Sequence, residues 1–530
     1  MRRALVTAVA VGLAGAVLAG CGSTSRPADS SKGGGKVVSG ATFAYALTAD
    51  PGNLDPQASV VNGNIQLAQF AYDPLVHLGN DGKISSGLAA KWQVAGATAT
   101  FTLTRGVTCA DGTPLTAADV AANLTYVANP KNKSPLAGTY IPAGATAKAT
   151  GTGTVTLTTP QQAPFLLEGL ANLPIVCAAG MKNRGLLARK TSGTGPFQLT
   201  SASGDQYTYA VRKGYRWGPA GATTATAGIP AKIVAKVVAN ESTAANLLTS
   251  GGLNAAAIAG PDSQRLDRAG LFSTKTSSVA GEMWFNQGGS RPGADPAVRK
   301  ALTQAVDLAE LAKVVTSGRG TPGTVFAANP PVACRGNSVA AALPKHDLAA
   351  AKRALDAAGW RAGAGGVRSK GGKKLQLTFL INAALGSAGS SAAELAQQTW
   401  KQLGAAITFK SQDSAALSQT IFGSGDWDVA WLAVNVSSPD QLVPFLSGAV
   451  PPDGTNFAHI QNKAYQAGVA QASKQQGQRG CAAWLAAEAN LVRNADAVPF
   501  ADQVLKTYGS KATFETPGVL VPTSIRMRAS

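Results

Sequence analysis

A chain of 530 residues exceeds what one hydrophobic core organises and calls for two or three domains. Only 14% of it is charged, yet 47 Lys and Arg stand against 28 Asp and Glu, a formal charge of +19. The basic residues are scattered, no basic run is interleaved with aromatics, and no zinc or RNA-binding signature occurs, which argues against a nucleic-acid module and suits attraction to anionic lipid or cell wall.

The chain opens with Arg2 and Arg3, an apolar and small run from Ala4 to Gly20, and Cys21, the layout of an export signal. A spanning helix is the alternative, but the run sits at the lower limit for crossing a bilayer and no basic stop follows. Leu18-Ala19-Gly20-Cys21 resembles the bacterial lipobox, in which the cysteine is acylated and the leader is cut before it. Two or three acyl chains anchor stably where one is marginal. Residues 1–20 are therefore expected as signal and 21–40, rich in Ser, Gly and Lys, as a flexible tether.

Beyond the tether, "TATFTL" (98–103), "GTVTLTT" (153–159) and "YTYAVR" (207–212) alternate with the period of two of half-buried strands. Thr116 with Asp119 predicts a capping box before Val120, Leu124 and Val127, with Pro130 past the end. From "DPAVRKALTQAVDLAELAKVVTSG" the pattern turns helical: Asp295 caps, Pro296 fits the first turn, Val298, Leu302, Ala305 and Leu311 mark the apolar side, and Gly318 terminates. "HDLAAAKRALDAAGW" repeats the logic with Asp347 as cap and Gly359 as stop, and "AGAGG" (362–366) reads as a loop. The strands "LQLTFL" (375–380) and "DVAWLAV" (428–434) alternate with helices, as in an α/β domain.

With Cys21 lipidated, Cys109, Cys177, Cys334 and Cys481 remain, too far apart for a CxxC cluster. An even number in an oxidising compartment suggests two disulfides. Three pairings are open; Cys109 with Cys177 and Cys334 with Cys481 keep each pair within one half of the chain, and buried free thiols are the alternative.

Read in order, the segments resemble one family. "NLDPQAS", "YDPLVHLGNDGKISSGLAAKW", "TFTLTRGVTCADGTPLTAADVAANL", "SGTGPFQL" before "RKGYRW", "NESTAANLLTSGGLNAAAI", "WFNQGG" leading to "DPAVRKALTQAVD", and "AAAKRALDAAGW" are similar to the oligopeptide, dipeptide and nickel class of solute-binding proteins that feed ATP-driven bacterial importers. The resemblance implies a two-lobed periplasmic-binding-protein-like α/β fold, class II and of the large cluster C type, with an extra strand-rich subdomain in the first lobe. It places lobe one at 41–285 plus 505–530 and lobe two at 286–504. Asp111, Gly112, Pro114, Gly193, Gly195 and Pro196 then belong to the scaffold.

The same resemblance implies a monomer that closes on a small solute, an oligopeptide among the candidates, and presents it to permease subunits, with no cofactor, no metal and no nucleic acid. It points to Asn62, Trp284, Asn286, Trp431, Asn435, Ser437 and Ser438 as ligand contacts; the alternatives are a solvated helix cap at Asn62, hinge packing at Trp284 and Asn286, a core position for Trp431 and ordinary loop positions for Asn435, Ser437 and Ser438. Peptide binders of the family carry an aspartate shortly after the tryptophan to pair with a free amine; here Val434, Asn435, Val436 and Ser437 follow, and the next carboxylate is Asp440. A buried ammonium without a partner is costly, so either Asp440 substitutes or the solute has no free amine, and a sugar, a modified peptide or a metal chelate suits the same hydroxyls and amides. Capture for sensing rather than import needs the same trap and stays open.

Catalysis finds no support in the sequence. GxSxG and HExxH are missing, the three histidines, His77, His346 and His459, lie apart without a triad, and "GAGGVR" ends in Arg368 where a dinucleotide fingerprint needs Gly or Ala.

Overall fold

The computed structural model describes residues 35–59, 61–363 and 365–529; the leader, Cys21 and the start of the tether lie outside them. Two long strands, Phe272–Phe285 and Ala497–Gly509, pair antiparallel from Phe272 opposite Gly509 to Trp284 opposite Ala497. They form the centre of an eleven-stranded sheet. On one side stand Ala255–Ile258, Thr42–Leu47, Lys232–Val237, Gln206–Val211 and Phe197–Ala202; on the other Val429–Trp431, Gln376–Asn382 and Ala406–Gln412.

The buried clusters divide the same way. Those around Phe43 and Tyr209, Phe101 and Leu157, and Leu248 and Tyr508 draw on the chain up to Leu266 and from Tyr508 onward. Those around Phe379 and Trp400, and Trp284 and Phe457, draw on Met283 to Ala501. Separate cores joined by two strands make two lobes.

The first lobe carries a second sheet of four antiparallel strands in the order Ala89–Ala95, Thr98–Leu103, Thr154–Thr158, Thr146–Gly151. Alternation along "TATFTL" turns Ala99, Phe101 and Leu103 inward, and burying the Phe101 ring alone is worth roughly 1.5–3 kcal/mol. The helix Ala117–Ala128 covers this sheet through Val120, Leu124 and Val127. It starts at the capping box: Thr116 Oγ1 accepts from Asp119 N and the Asp119 carboxylate accepts from Thr116 N.

The second lobe is built on the parallel pair Gln376–Asn382 and Ala406–Gln412, crossed by the helix Gly386–Leu403. The helical run from Pro296 is two helices rather than one, Pro296–Ala305 and Leu308–Val315. Asp307 breaks it: its carboxylate accepts from Ala309 N and Glu310 N and so caps a new helix. The strand expected over 428–434 is only Val429–Trp431: Leu432 N adds one more backbone bond, to Glu282 O, and Val434 N then turns to the Glu282 carboxylate.

The motifs of the first lobe converge on one buried carboxyl. Asp73 accepts from Thr194 Oγ1 at 2.8 Å, Tyr215 Oη at 2.7 Å and Trp217 Nε1 at 3.0 Å. Gly195 packs so tightly there that a Cβ would lie 2.4 Å from the Ala71 carbonyl carbon. Arg212 ties the same knot through the carbonyls of Thr108, Cys109, Thr194 and Gly195. Asp111 accepts from Thr113 N, and Gly112 takes φ 86° to close that turn.

Both disulfides are formed, Cys109–Cys177 across 68 residues and Cys334–Cys481 across 147. Closing loops of this length restricts the unfolded chain. The double substitution of Cys109 and Cys177 by serine is expected to lower stability by about 2–4 kcal/mol, read as a shift of the denaturant midpoint; an unchanged midpoint would show that the bond constrains nothing.

Candidate functional site

In each lobe the loop expected to meet solute is held by its own lobe's framework. In the first lobe, Arg184 grips both carboxylate oxygens of Asp55 at 2.7 Å and lies 4.0 Å from the Tyr126 ring centroid. Gln57 donates to Asn123 Oδ1 and Pro174 O, and its carbonyl accepts from Ser134 Oγ. This network fixes the segment that leads into the helix Asn62–Ala71, at whose start Asn62 stands exposed.

In the second lobe the loop after Val429–Trp431 is pinned to the crossing strand. Val434 N donates to Glu282 Oε2 at 2.9 Å, and Asn435 Oδ1 accepts from Val279 N at 3.0 Å. Ser437 and Ser438 offer their amides to Gln441 Oε1, while Ser438 Oγ donates to Asp440. Ser438 is buried, Ser437 is half-buried and Asn435 is exposed.

Trp284, Asn286 and Trp431 lie beneath this loop. The Trp284 indole donates to Leu432 O at 2.8 Å and packs on Phe457. Asn286 donates to Gly425 O and Trp427 O and accepts from Gly288 N. Trp431 lies between Phe379, which it meets edge-on, and Phe500, which is tilted to it. All three are at most 2% exposed, so as placed their side chains meet protein atoms, and we assign them to support of the loop.

The crossing strands carry a feature that sequence reasoning missed. Between Val279 and Glu282 the ladder shifts register, so the two strands bend at that point. Beside this bend sit Glu282, Asp502 and, from the helix Cys481–Arg493, Glu488, all buried. Each has a carboxyl oxygen without a hydrogen-bond partner. Burial raises Glu282 to about 8, with the charges of Asp502 and Glu488 adding to it, and raises Asp502 and Glu488 to about 7. A carboxylate inside an otherwise apolar run, "GEMWF" or "WLAAEANL", was the available signal.

The lobes also touch along a second contact, reached through the same helix Cys481–Arg493 that carries Glu488. Phe165 of the first lobe enters a buried cluster with Ala333, Cys334, Ala472 and Trp484 of the second, its ring 5.8 Å from the Trp484 ring. Around it Gly477 N donates to Pro164 O at 2.8 Å, Gln162 to Ser473 O and Gln478 to Asp81 O at 3.0 Å each, and Arg335 to Asn80 O. Gln441, behind the second-lobe loop, donates to Thr139 O at 3.0 Å. These contacts join the two lobes along one seam. A cavity of about 500 Å³ lies at this rim, bounded by Lys83, Trp92, Pro164, Glu168 and Arg479.

The model of the middle region of bacterial extracellular solute-binding proteins, family 5, matches residues 83–453. Protein XP55 of Streptomyces lividans is 30% identical over 384 residues, 69% of this chain and 65% of that relative's length. The glutathione-binding protein GsiB of Salmonella choleraesuis is 25% identical over 439 residues, 79% of this chain and 81% of its own. The crystal structure of NikA from Brucella suis in complex with Fe(III)-EDTA superposes with a TM-score of 0.72 at 22% identity, over 92% of this chain and all of that one. Two lobes with their own cores, two crossing strands and a family match over most of the sequence lead to one assignment: this chain belongs to the bacterial extracellular solute-binding proteins of family 5.

Proposed function

We propose that this protein captures a small polar solute, peptide or peptide-like, between its lobes outside the cytoplasm and hands it unaltered to an ABC importer. The observation that carries this reading is the pairing of a bent two-strand crossing with a second contact that joins the lobes along one seam. Enclosure requires that solute bind the closed form better than the open one. Lobe one comprises 41–285 with the tail from 505, and lobe two 286–504. Cys21 carries the lipid that holds the chain at the outer face of the membrane, and Ser, Gly and Lys after it give the reach. Among the described residues no helix is long and apolar enough to span a bilayer.

Solute contact falls to the groups that the scaffold leaves free. Asn62 and Ser437 make no side-chain hydrogen bond among the described residues, whereas Asn435 and Ser438 divide their polar atoms between loop and solute. No carboxylate stands at Val434, and Asp440 is turned toward Ser438, which favours a solute without a free amine at that end. Mass spectrometry of whatever is released on denaturing the purified chain identifies the solute. Calorimetric titration of Asn62→Ala and Ser437→Ala with it should show affinity lowered about tenfold each, the worth of a hydrogen bond or two, at an unchanged unfolding midpoint. Full affinity in both variants would move the site elsewhere.

A further inference from the structure

Closure brings acid against acid. Glu168, on the short helix Leu166–Leu170 of the first lobe, is 6% exposed. Its carboxyl faces Gly477 of the second lobe so closely that a Cβ there would lie 2.7 Å from Oε1. From the second lobe, the turn Pro439–Leu442 docks through Gln441 on Thr139, and it carries Asp440. The charge of Asp440 acts on Glu168, and neither carboxyl has an ion-pair partner among the described residues.

The other charged or titratable groups around the two do not neutralise them. Lys83 and Arg479 border the same cavity as Glu168, but both are exposed, and Lys83 pairs with Asp81. Behind Asp440 stands Tyr465, itself near Glu488. Arg335 also crosses the seam, but its guanidinium is bonded to Asn80 O, and no ion pair to Glu168 or Asp440 occurs among the described residues.

We propose that closure is coupled to proton uptake: Glu168, buried at the seam against Gly477 of the other lobe with no ion-pair partner, and the half-buried Asp440 that the other lobe brings toward it, are held protonated in the closed form and ionise when the lobes part. This rests on the reading of the two bodies as lobes that open and close. Parting the lobes returns both groups to water and to ordinary carboxylate behaviour. Closure takes away that water, which is the main cause raising Glu168 to about 7, and Asp440 shifts the same way through burial.

The closed form thus binds more protons than the open one. Its advantage is complete below the ordinary carboxylate range near 4.5, shrinks as pH rises, and is lost beyond about 7. Over that window the closing equilibrium should weaken by about tenfold to a hundredfold. An acidic wall favours retention of solute and a more alkaline zone its release.

Hydrogen exchange read by mass spectrometry on the full chain tests this without any solute. The amide of Gly477 bonds to Pro164 O across the seam, so segments 161–168 and 473–485 report closure. After division by the intrinsic exchange rate, their protection should fall tenfold or more between pH 5.5 and 8.5, and Glu168→Gln and Asp440→Asn should each flatten the profile. A flat profile in the unmodified chain, or an equal slope in both variants, overturns the proposal. If a solute is nevertheless recovered, capture stands and only the coupling is lost; a steep profile in a chain that binds nothing supports the coupling and sinks the capture reading alone.

Discussion

Replacing Arg299 with methionine should cost the fold about 3–5 kcal/mol. Arg299 and Asp496 are 2% and 1% exposed, and their charges meet at 2.9 Å inside the second lobe. The guanidinium also donates to the carbonyls of Gly293, Asn494 and Ala495. It thereby staples the start of the helix Pro296–Ala305 to the turn that precedes the second crossing strand. Its removal strands a buried carboxylate and leaves three carbonyls without a donor. Gln287, Asn462 and Asn494 still donate amides to Asp496, so the double change Arg299→Met with Asp496→Asn should recover part of the loss. The midpoint of urea unfolding measures both; a cost below about 1 kcal/mol in the single variant would show that the amide shell alone solvates the charge.

Phe165→Ala should weaken solute binding by about tenfold to a hundredfold while hardly moving the unfolding midpoint. Its ring is 3% exposed, and every buried neighbour in its cluster belongs to the other lobe. Truncating a fully packed phenylalanine costs about 3–5 kcal/mol. Here part of that burial exists only when the lobes are shut, so the loss falls on the closed form and reaches the solute through the closing equilibrium. Phe165→Leu keeps most of the apolar contact and should bind nearly as the parent does. Calorimetry with the copurifying solute separates the cases, and equal affinity in the alanine variant would mean that the Phe165 contact plays no part in holding the lobes together.

Local chemistry explains what was readable in the sequence. Thr116 with Asp119, Asp295 with Pro296, and Asp347 all cap helices, because a cap is a matter of a few neighbouring residues. "YDPL", "SGTGPF" and "RKGYRW" announced a shared scaffold, and the structure gives its physical content as the cage around Asp73. Asp307 was harder: it sits within an unbroken apolar period, and only its bonds to the next amides distinguish a cap from a solvated helix position.

What depends on distant contacts was not legible. Phe165 and Trp484 are 319 positions apart in the numbering yet share one cluster, and nothing local marks either as a partner. Glu282 and Glu488 each stand out as a carboxylate in an apolar run, but only the fold brings them, with Asp502, to one bend. Trp284, Asn286 and Trp431 carried a functional expectation because of where their segments fall in the family. Their burial shows that the same positions also serve as the bed on which the second-lobe loop lies.

The register of the crossing strands limits the motion available to the molecule. Backbone bonds tie Phe272–Phe285 to Ala497–Gly509 rung by rung on either side of the bend, so sliding one half past the other would break many of them at once. Swinging about the irregular rungs breaks few. Opening is then a turn about those rungs, small at the joint and larger with distance from it.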